Sequence, residues 1–270
     1  MLDIAGVNKT FNTGTPNELR ALRGIDLKVL DGSFVVMIGT NGSGKSTLLN
    51  AVAGSFFLDS GAIKVAGNDI TGWPEWRRAK FIGRVFQNPF SGTAASMSIA
   101  ENLALAAYRG KRRGMSWLLG NDLLSSMRER VRELNMGLED RLKNAIGSLS
   151  GGQRQALTLL MATWLRPQVL LLDEHTAALD PKSADQVIAL TDTIVRREKL
   201  TALMVTHSMQ QAASLGDRLI MMHRGQLIQD FCGAEKERLR PEDLMARFEE
   251  VRRAELLDES AAAMLRRMYV

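Results

Sequence analysis

The stretch that decides the fold is Phe34-Val35-Val36-Met37-Ile38-Gly39-Thr40-Asn41-Gly42-Ser43-Gly44-Lys45-Ser46-Thr47-Leu48-Leu49. It opens with a short apolar run ending in glycine, the pattern of a buried strand. From Ser46 to Ala53 the apolar residues Leu48, Leu49, Val52 and Ala53 fall at helical spacing. The junction, residues 39–47, matches G-x-x-x-x-G-K-[ST]. Glycines there let successive backbone N–H groups turn inward around phosphate oxygens, and the following helix presents its positive end to the same anion. Lys45 is placed to reach β- and γ-phosphates and Ser46 to bind Mg²⁺. Gly39, Thr40, Asn41, Gly42, Ser43, Gly44, Lys45, Ser46 and Thr47 are therefore candidate nucleotide-binding residues.

A second apolar run, Val169-Leu170-Leu171-Leu172, ends in Asp173-Glu174. An acidic pair after a strand is often only a solvated loop. At the C-terminal end of a parallel strand, however, it stands where α/β sheets bind ligands. With the phosphate loop upstream, Asp173 is expected to hold Mg²⁺, largely through water, and Glu174 to accept a proton from a water attacking the γ-phosphate. A third run, Leu203-Met204-Val205, precedes Thr206-His207-Ser208.

The third feature is Leu149-Ser150-Gly151-Gly152-Gln153. With this motif the chain resembles an ABC transporter nucleotide-binding domain, and the resemblance runs from about residue 2 to 233. It implies a second anion site at a helix N-terminus, with two copies packed head to tail, so that Ser150, Gly151, Gly152 and Gln153 of one copy face the nucleotide of the other. It also assigns Phe11 to adenine stacking, although a strand core position is the alternative. Gln87, in Val85-Phe86-Gln87-Asn88-Pro89, matches a glutamine that contacts Mg²⁺ or water and senses a membrane subunit. Ala177-Ala178-Leu179-Asp180 matches the loop that crosses the dimer interface, and His207 the switch histidine beside the γ-phosphate. Two positions depart from the family pattern: His175, where proline or alanine is common, and Ala178, where serine is common.

The resemblance further implies ATP and Mg²⁺ as ligands. As partners it implies transmembrane permease subunits, a second copy of the chain and an extracytoplasmic substrate-binding protein, with no nucleic acid. The permease is expected to dock near Gln87 and the segment 96–105. Tyr108-Arg-Gly-Lys-Arg-Arg-Gly and Asp173-Glu-His-Thr-Ala-Ala-Leu-Asp-Pro-Lys are similar to a bacterial importer group linked to tryptophan/tyrosine-type binding proteins. The competing readings are an exporter subunit, an ABC ATPase acting on ribosomes or DNA, and a binding-only regulator. A single nucleotide domain without a long heptad run argues against the ribosome and DNA forms, and Glu174 argues against the regulator.

Outward from the motifs, alternating apolar residues over 1–30, broken by a turn-rich segment at 12–17, read as an antiparallel β portion. Ile63-Lys64-Val65 before Gly67-Asn68 reads as strand and turn. Residues 97–145 read mostly as helix, followed by helical patterns at 152–165 and 181–197. Strand and helix in alternation imply a parallel sheet with covering helices. The predicted fold is α/β: a P-loop NTPase core with a mainly parallel sheet, an antiparallel β subdomain and an inserted α-helical subdomain at about 90–165, the ABC ATPase fold. Residues 1–233 form the nucleotide-binding domain. Residues 234–270 are read as a C-terminal helical extension, opened by Pro241-Glu242-Asp243 and lying peripherally.

The 270 residues suit this layout, with 45% hydrophobic and 24% charged residues and a net charge of +5. That mild basic bias reads as an ordinary surface or as one working beside anionic headgroups. Arg109-Gly110-Lys111-Arg112-Arg113 is its densest cluster, a solvated face or a contact with lipid or the membrane partner. The one cysteine, Cys232, reads as structural and fits a reducing compartment. The beginning of the chain shows no secretory signal, and no apolar run reaches the ~18 residues of a membrane helix. The expected location is the cytoplasmic face of the membrane, held there through the permease. Trp73 and Trp76 read as packing residues of the β portion, and Met221-Met222 as core strand.

Overall fold

The structure, a computed structural model, describes residues 1–110, 121–251 and 253. The first β elements form an antiparallel sheet. Its strands are β1 (Leu2–Phe11), β2 (Leu19–Val29), β4 (Ser60–Val65) and β5 (Asn68–Asp69), in the order β2-β1-β4-β5. The second sheet runs β10 (Gln226–Cys232), β9 (Arg218–His223), β3 (Phe34–Gly39), β8 (Ala202–Val205), β7 (Val169–Asp173), β6 (Ile82–Val85). All its pairings are parallel except β9–β10.

Period-two alternation distributes β3 between two cores. Val35 and Met37 join the core between the two sheets, with Leu48, Leu49 and Val52 of α1 (Lys45–Ala53). Phe34, Val36 and Ile38 join the opposite core. There they meet α6 (Pro181–Glu198) and α7 (Met209–Ser214) through Ile194, Val195 and Ala212. A strand buried on both faces must be apolar throughout, which is why the decisive run carries no alternation of polarity.

Between residues 90 and 165 the described residues contain no strand. They hold α3 (Ile99–Ala107), α4 (Asn121–Arg132) and α5 (Gly151–Thr163), whose buried residues make a third core. The helical expectation for 97–145 is only partly met. Residues 133–145 are turns and extended segments, tied to the start of α3 by Ile99 N–H donating to Asn144 O and Ala100 N–H to Leu142 O. Most of the basic cluster, 111–113, lies outside the described residues, as does most of 252–270.

Two further expectations, on Cys232 and Trp76, need correction. The segment after α8 (Gly233–Arg238) is helical over 241–251 and lies on the surface with most residues exposed, but it is anchored. Leu244 is fully buried in the second core and Arg247 stacks over the Phe231 ring at 4.7 Å, because the covering helices leave that face of β10 open to an apolar partner. Cys232 is exposed at the end of β10 rather than structural. Trp73 packs on the first core, but Trp76 is 73% exposed, since α2 (Glu75–Arg78) turns its inner face to Arg78 instead.

Arg78 was invisible to pattern reading. It is completely buried and donates to four carbonyls, Trp73 O at 2.8 Å, Ala51 O at 2.7 Å, Val52 O at 2.9 Å and Thr71 O at 2.9 Å. Two of these end α1, where carbonyls lack helical partners and the helix dipole is negative. Gly54, with φ 84°, closes that helix because a Cβ there would lie 2.7 Å from Arg78 Nε. Burial lowers the Arg78 pKa, with Asp69 opposing. Arg78→Met keeps the apolar stem and removes the donor from four acceptors, two of them in buried bonds. It is expected to cost roughly 3 kcal/mol in denaturant unfolding; a loss below ~1 kcal/mol would show that these carbonyls find water instead.

Candidate active site

Registry brings the motifs together. In the parallel sheet Met37 lies opposite Val205, and Val205 opposite Asp173. The C-terminal ends of β3, β8 and β7 therefore stand side by side, and the loops they launch carry residues 39–47, His207 and Glu174. Val85 pairs with Leu172, which sets Gln87 on the next loop of the same edge. This is the edge where open α/β sheets gather ligands.

The glycine loop is built by close approach. Gly39 has φ 156°, and a Cβ on it would lie 2.1 Å from Met222 O and 2.8 Å from Ser43 Oγ. Gly44, with φ 99°, precedes α1, and a Cβ there would lie 2.5 Å from Ala21 O. No side chain caps α1, so the amides of its first turn stay oriented toward the loop. Lys45 is 5% exposed and its ammonium donates to Gly39 O at 2.9 Å and Thr40 O at 3.0 Å. Burial lowers its pKa, while the charges of Glu174 and Asp173 oppose that shift.

Facing the lysine, Ser46 Oγ donates to Asp173 Oδ1 at 2.9 Å. Glu174 is engaged on both oxygens: His207 Nε2 lies 2.6 Å from Oε1, and Gln87 Nε2 donates to Oε2 at 3.2 Å. The Glu174 backbone is left-handed at φ 45°, which costs a non-glycine residue about 1 kcal/mol. Its N–H is held by Val205 O at 3.0 Å. Beside this group a cavity of about 490 Å³ is lined by residues 38–41, Thr206, His207, Met209 and Phe248. Phe248 comes from helix 241–251, so the C-terminal segment reaches the same edge.

Other singled-out residues lie apart from this cluster. Phe11 meets Phe56 edge to face at 5.2 Å, with Lys9 Nζ 5.5 Å from both ring centroids. Ser150 caps α5: its hydroxyl accepts from Gln153 N–H at 3.3 Å, and Gln153 Oε1 accepts from Ser150 N–H at 3.3 Å. Gly151 and Gly152 form the first turn, pressed on Leu179 and Ser183 so closely that a Cβ on Gly152 would lie 2.8 Å from Ser183 Cβ. Asp180 caps α6 by accepting from Ser183 N–H at 3.0 Å, and that bond lowers its pKa. Among the described residues no hydrogen bond joins 150–153 to the glycine loop of the same copy.

Arg84 is a neighbour that sequence reading missed. Its guanidinium bonds Asn50 Oδ1 and stacks over Phe86 at 4.5 Å, tying α1 to the segment that leads into Gln87. Nothing in the local pattern marks it, because its partners come from remote segments. His175 is also buried, and burial lowers its pKa to about 4, so the ring is neutral at physiological pH.

The family model for the ABC transporter domain matches residues 22–177. The chain belongs to the ABC transporter ATP-binding family. It is 43% identical to a tyrosine transport ATP-binding protein of Clostridioides difficile, across 92% of this chain and 99% of that one. It is 34% identical to a lipoprotein-releasing system ATP-binding protein LolD of Ruegeria pomeroyi, across 84% and 96%. Its fold matches a dimeric ATP-binding cassette solved in a post-hydrolysis state with ADP and Pi. The TM-score there is 0.74, at 26% identity over 86% of this chain and 98% of that one. This ABC chain is thus an ATP-binding ATPase subunit of a transporter, and its α/β architecture is that of the cassette.

Proposed function

We propose that this chain is the ATP-hydrolysing subunit of an importer for a small solute of the amino-acid class. The observation that carries this reading is the 43% identity to a tyrosine transport ATP-binding protein over nearly the whole of both chains. In this reading the chain works at the cytoplasmic face of the membrane, bound to permease subunits and served by an extracytoplasmic binding protein. Among the described residues no helix is long and apolar enough to cross a bilayer; in this reading membrane passage belongs to the permease subunits.

The site chemistry follows from the cluster at the sheet edge. The amides of 39–47 and the Lys45 ammonium grip the β- and γ-phosphates, and Phe11 stacks on the adenine. Ser46, Asp173 and Gln87 offer the hard oxygen donors that Mg²⁺ takes. Among the described residues no cluster of three His, Cys, Asp or Glu is found, and Ser46, Asp173 and Gln87 are the residues that would hold such an ion. When bound, it supplies charge neutralisation on the transferred phosphoryl group. Glu174 takes the proton of the attacking water while Gln87 orients that water. His207 Nε2, 2.6 Å from Glu174 Oε1 in the structure, turns its proton to the γ-phosphate when nucleotide binds, which frees that carboxylate oxygen for the attacking water. Residues 150–153 of a second copy, with Asp180 shaping the loop before α6, close over the same phosphate. ATP then favours the closed dimer because it touches both copies, and hydrolysis removes that bridge.

Similarity to lipoprotein-releasing cassettes favours a second reading, extrusion rather than uptake. The two separate by reconstitution. The permease that copurifies with the tagged chain from solubilised membranes is placed in vesicles with its binding protein, and ATP-driven accumulation of labelled tyrosine and tryptophan is measured. Accumulation that requires ATP supports import. ATP turnover coupled to release of lipid-modified protein, with no amino-acid accumulation, overturns it.

A further inference from the structure

His175 follows Glu174 directly, yet its ring is 1% exposed and touches no solvent-facing edge of the site. Its Nε2 lies 3.0 Å from Thr191 Oγ1, in the middle of α6. The Thr191 hydroxyl has one proton and gives it to Val187 O, 2.8 Å away. With that proton on Val187 O it accepts from His175, which assigns the imidazole proton to Nε2. Nδ1 is buried with no partner. The ring is thus oriented by a single directional bond, and that bond runs to α6.

The consequence falls on the residue before it. Glu174 sits in the left-handed region, a conformation that persists only where neighbours impose it. Upstream it is held by Glu174 N–H donating to Val205 O at 3.0 Å. Downstream the chain makes a tight turn, with Ala177 N–H donating to Glu174 O at 2.9 Å and Leu179 N–H to Thr176 O at 3.2 Å. These bonds shape the turn, whose far end already runs into α6 through the cap residue Asp180; close to Glu174 itself they tie it to no other element. The His175–Thr191 bond joins it to α6, the helix whose first turn also abuts Gly152 through Ser183. One rigid rod, with Ser183 and Thr191 about 12 Å apart along it, thereby references both the Glu174 turn and the start of α5.

We propose that His175 is a positioning residue for ATP hydrolysis, its Nε2–H bond to Thr191 clamping the chain after Glu174 to α6 and so fixing where the Glu174 carboxylate meets the attacking water. This rests on Glu174 being the base. The ring itself never reaches nucleotide, so its effect falls on kcat and not on ATP affinity.

The test uses the full-length chain, with kcat, the Kd for a fluorescent ATP analogue and the melting temperature measured for each variant. His175→Phe keeps the ring volume and deletes the donor; Thr191→Val keeps the shape and deletes the acceptor. Each is expected to lower kcat about tenfold with Kd within twofold, since a misplacement of about 1 Å can cost about 10²-fold and a smaller shift correspondingly less. The double variant should lose no more than either single one. His175→Gln, whose amide nitrogen can stand near the Nε2 position, and Thr191→Ser should restore most of kcat. Parent-like kcat in His175→Phe and Thr191→Val overturns the proposal. So does a loss that follows Kd or melting temperature, or one that His175→Gln and Thr191→Ser fail to restore. Glu174→Gln, run in parallel, separates the two claims: if it turns over normally the base assignment falls, and if it alone is inactive only the clamp falls.

Discussion

Glu174→Gln is expected to lower ATP turnover about 10²–10³-fold while leaving ATP binding intact, the range lost with a general base. The substitution is nearly isosteric. Both positions engaged by the carboxylate, His207 Nε2 at 2.6 Å and Gln87 Nε2 at 3.2 Å, remain filled by a planar group of the same size. What disappears is the negative charge, its basicity and one of the two acceptors, since the amide NH2 faces a donor and the Gln87 amide or the His207 ring must reorient. The charge also opposes the burial effect on Lys45, so its removal leaves that ammonium less compensated until triphosphate arrives. The variant is therefore expected to collect as an ATP-bound dimer in size exclusion with MgATP, because closure is favoured and the step that reopens the interface is slow. Single-turnover hydrolysis gives the chemical rate directly. Turnover at the parent rate would remove Glu174 from the role of base.

The loop at 39–47 and the acidic pair at 173–174 were legible because their constraints are local. A strand apolar on every residue, glycines at the turn and a lysine at the head of a helix leave a mark wherever they occur. Their meeting was not legible in the same way, since it depends on register: Met37 beside Val205 beside Asp173 is a property of three strands drawn from distant parts of the chain. The four carbonyls that hold Arg78 carry no residue identity at all, so no pattern could point to them. Residues 133–145 failed as helix because Leu134, Leu138 and Leu142 are buried from turns and short loops, where apolar spacing gives the same signature as a helical face. Helix 241–251 is expected from the sequence as a peripheral element, and nothing in its composition marks what holds it. One fully buried leucine and a guanidinium stacked on Phe231 suffice to seat it.

The motif at 150–153 illustrates a different boundary. Within one copy its serine and glutamine cap α5, with Gln153 Nε2 also donating to Met136 O at 3.5 Å, and its glycines are explained by the approach of Leu179 and Ser183. A single chain accounts for these residues structurally without reference to nucleotide. Their proposed role across a dimer rests on what the cap leaves free, the amides of the first turn of α5 at the positive end of that helix.

Lys45→Met should abolish the stabilisation that MgATP confers. In the nucleotide-free chain the ammonium is desolvated and held by two carbonyls, Gly39 O and Thr40 O, with the Asp173 and Glu174 charges nearby. Phosphate oxygens are stronger acceptors than carbonyls for the same donors, and charge-assisted bonds of this kind contribute about 1.5–3 kcal/mol each. Losing two of them weakens binding by roughly 10²–10⁴-fold. Methionine keeps the unbranched apolar stem along α1 but leaves Gly39 O and Thr40 O without their donor and Asp173 and Glu174 without its charge, so the fold without nucleotide is expected to unfold somewhat below the parent temperature, and the readout is the gain on adding MgATP. The contrast appears in thermal unfolding on the Glu174→Gln background, where hydrolysis does not consume the ligand. With Lys45 intact, MgATP at a hundred times its Kd adds about 2.7 kcal/mol; with Lys45→Met at the same concentration the gain should fall to about half a kcal/mol or less. A full gain in the methionine variant would place triphosphate binding away from residues 39–47.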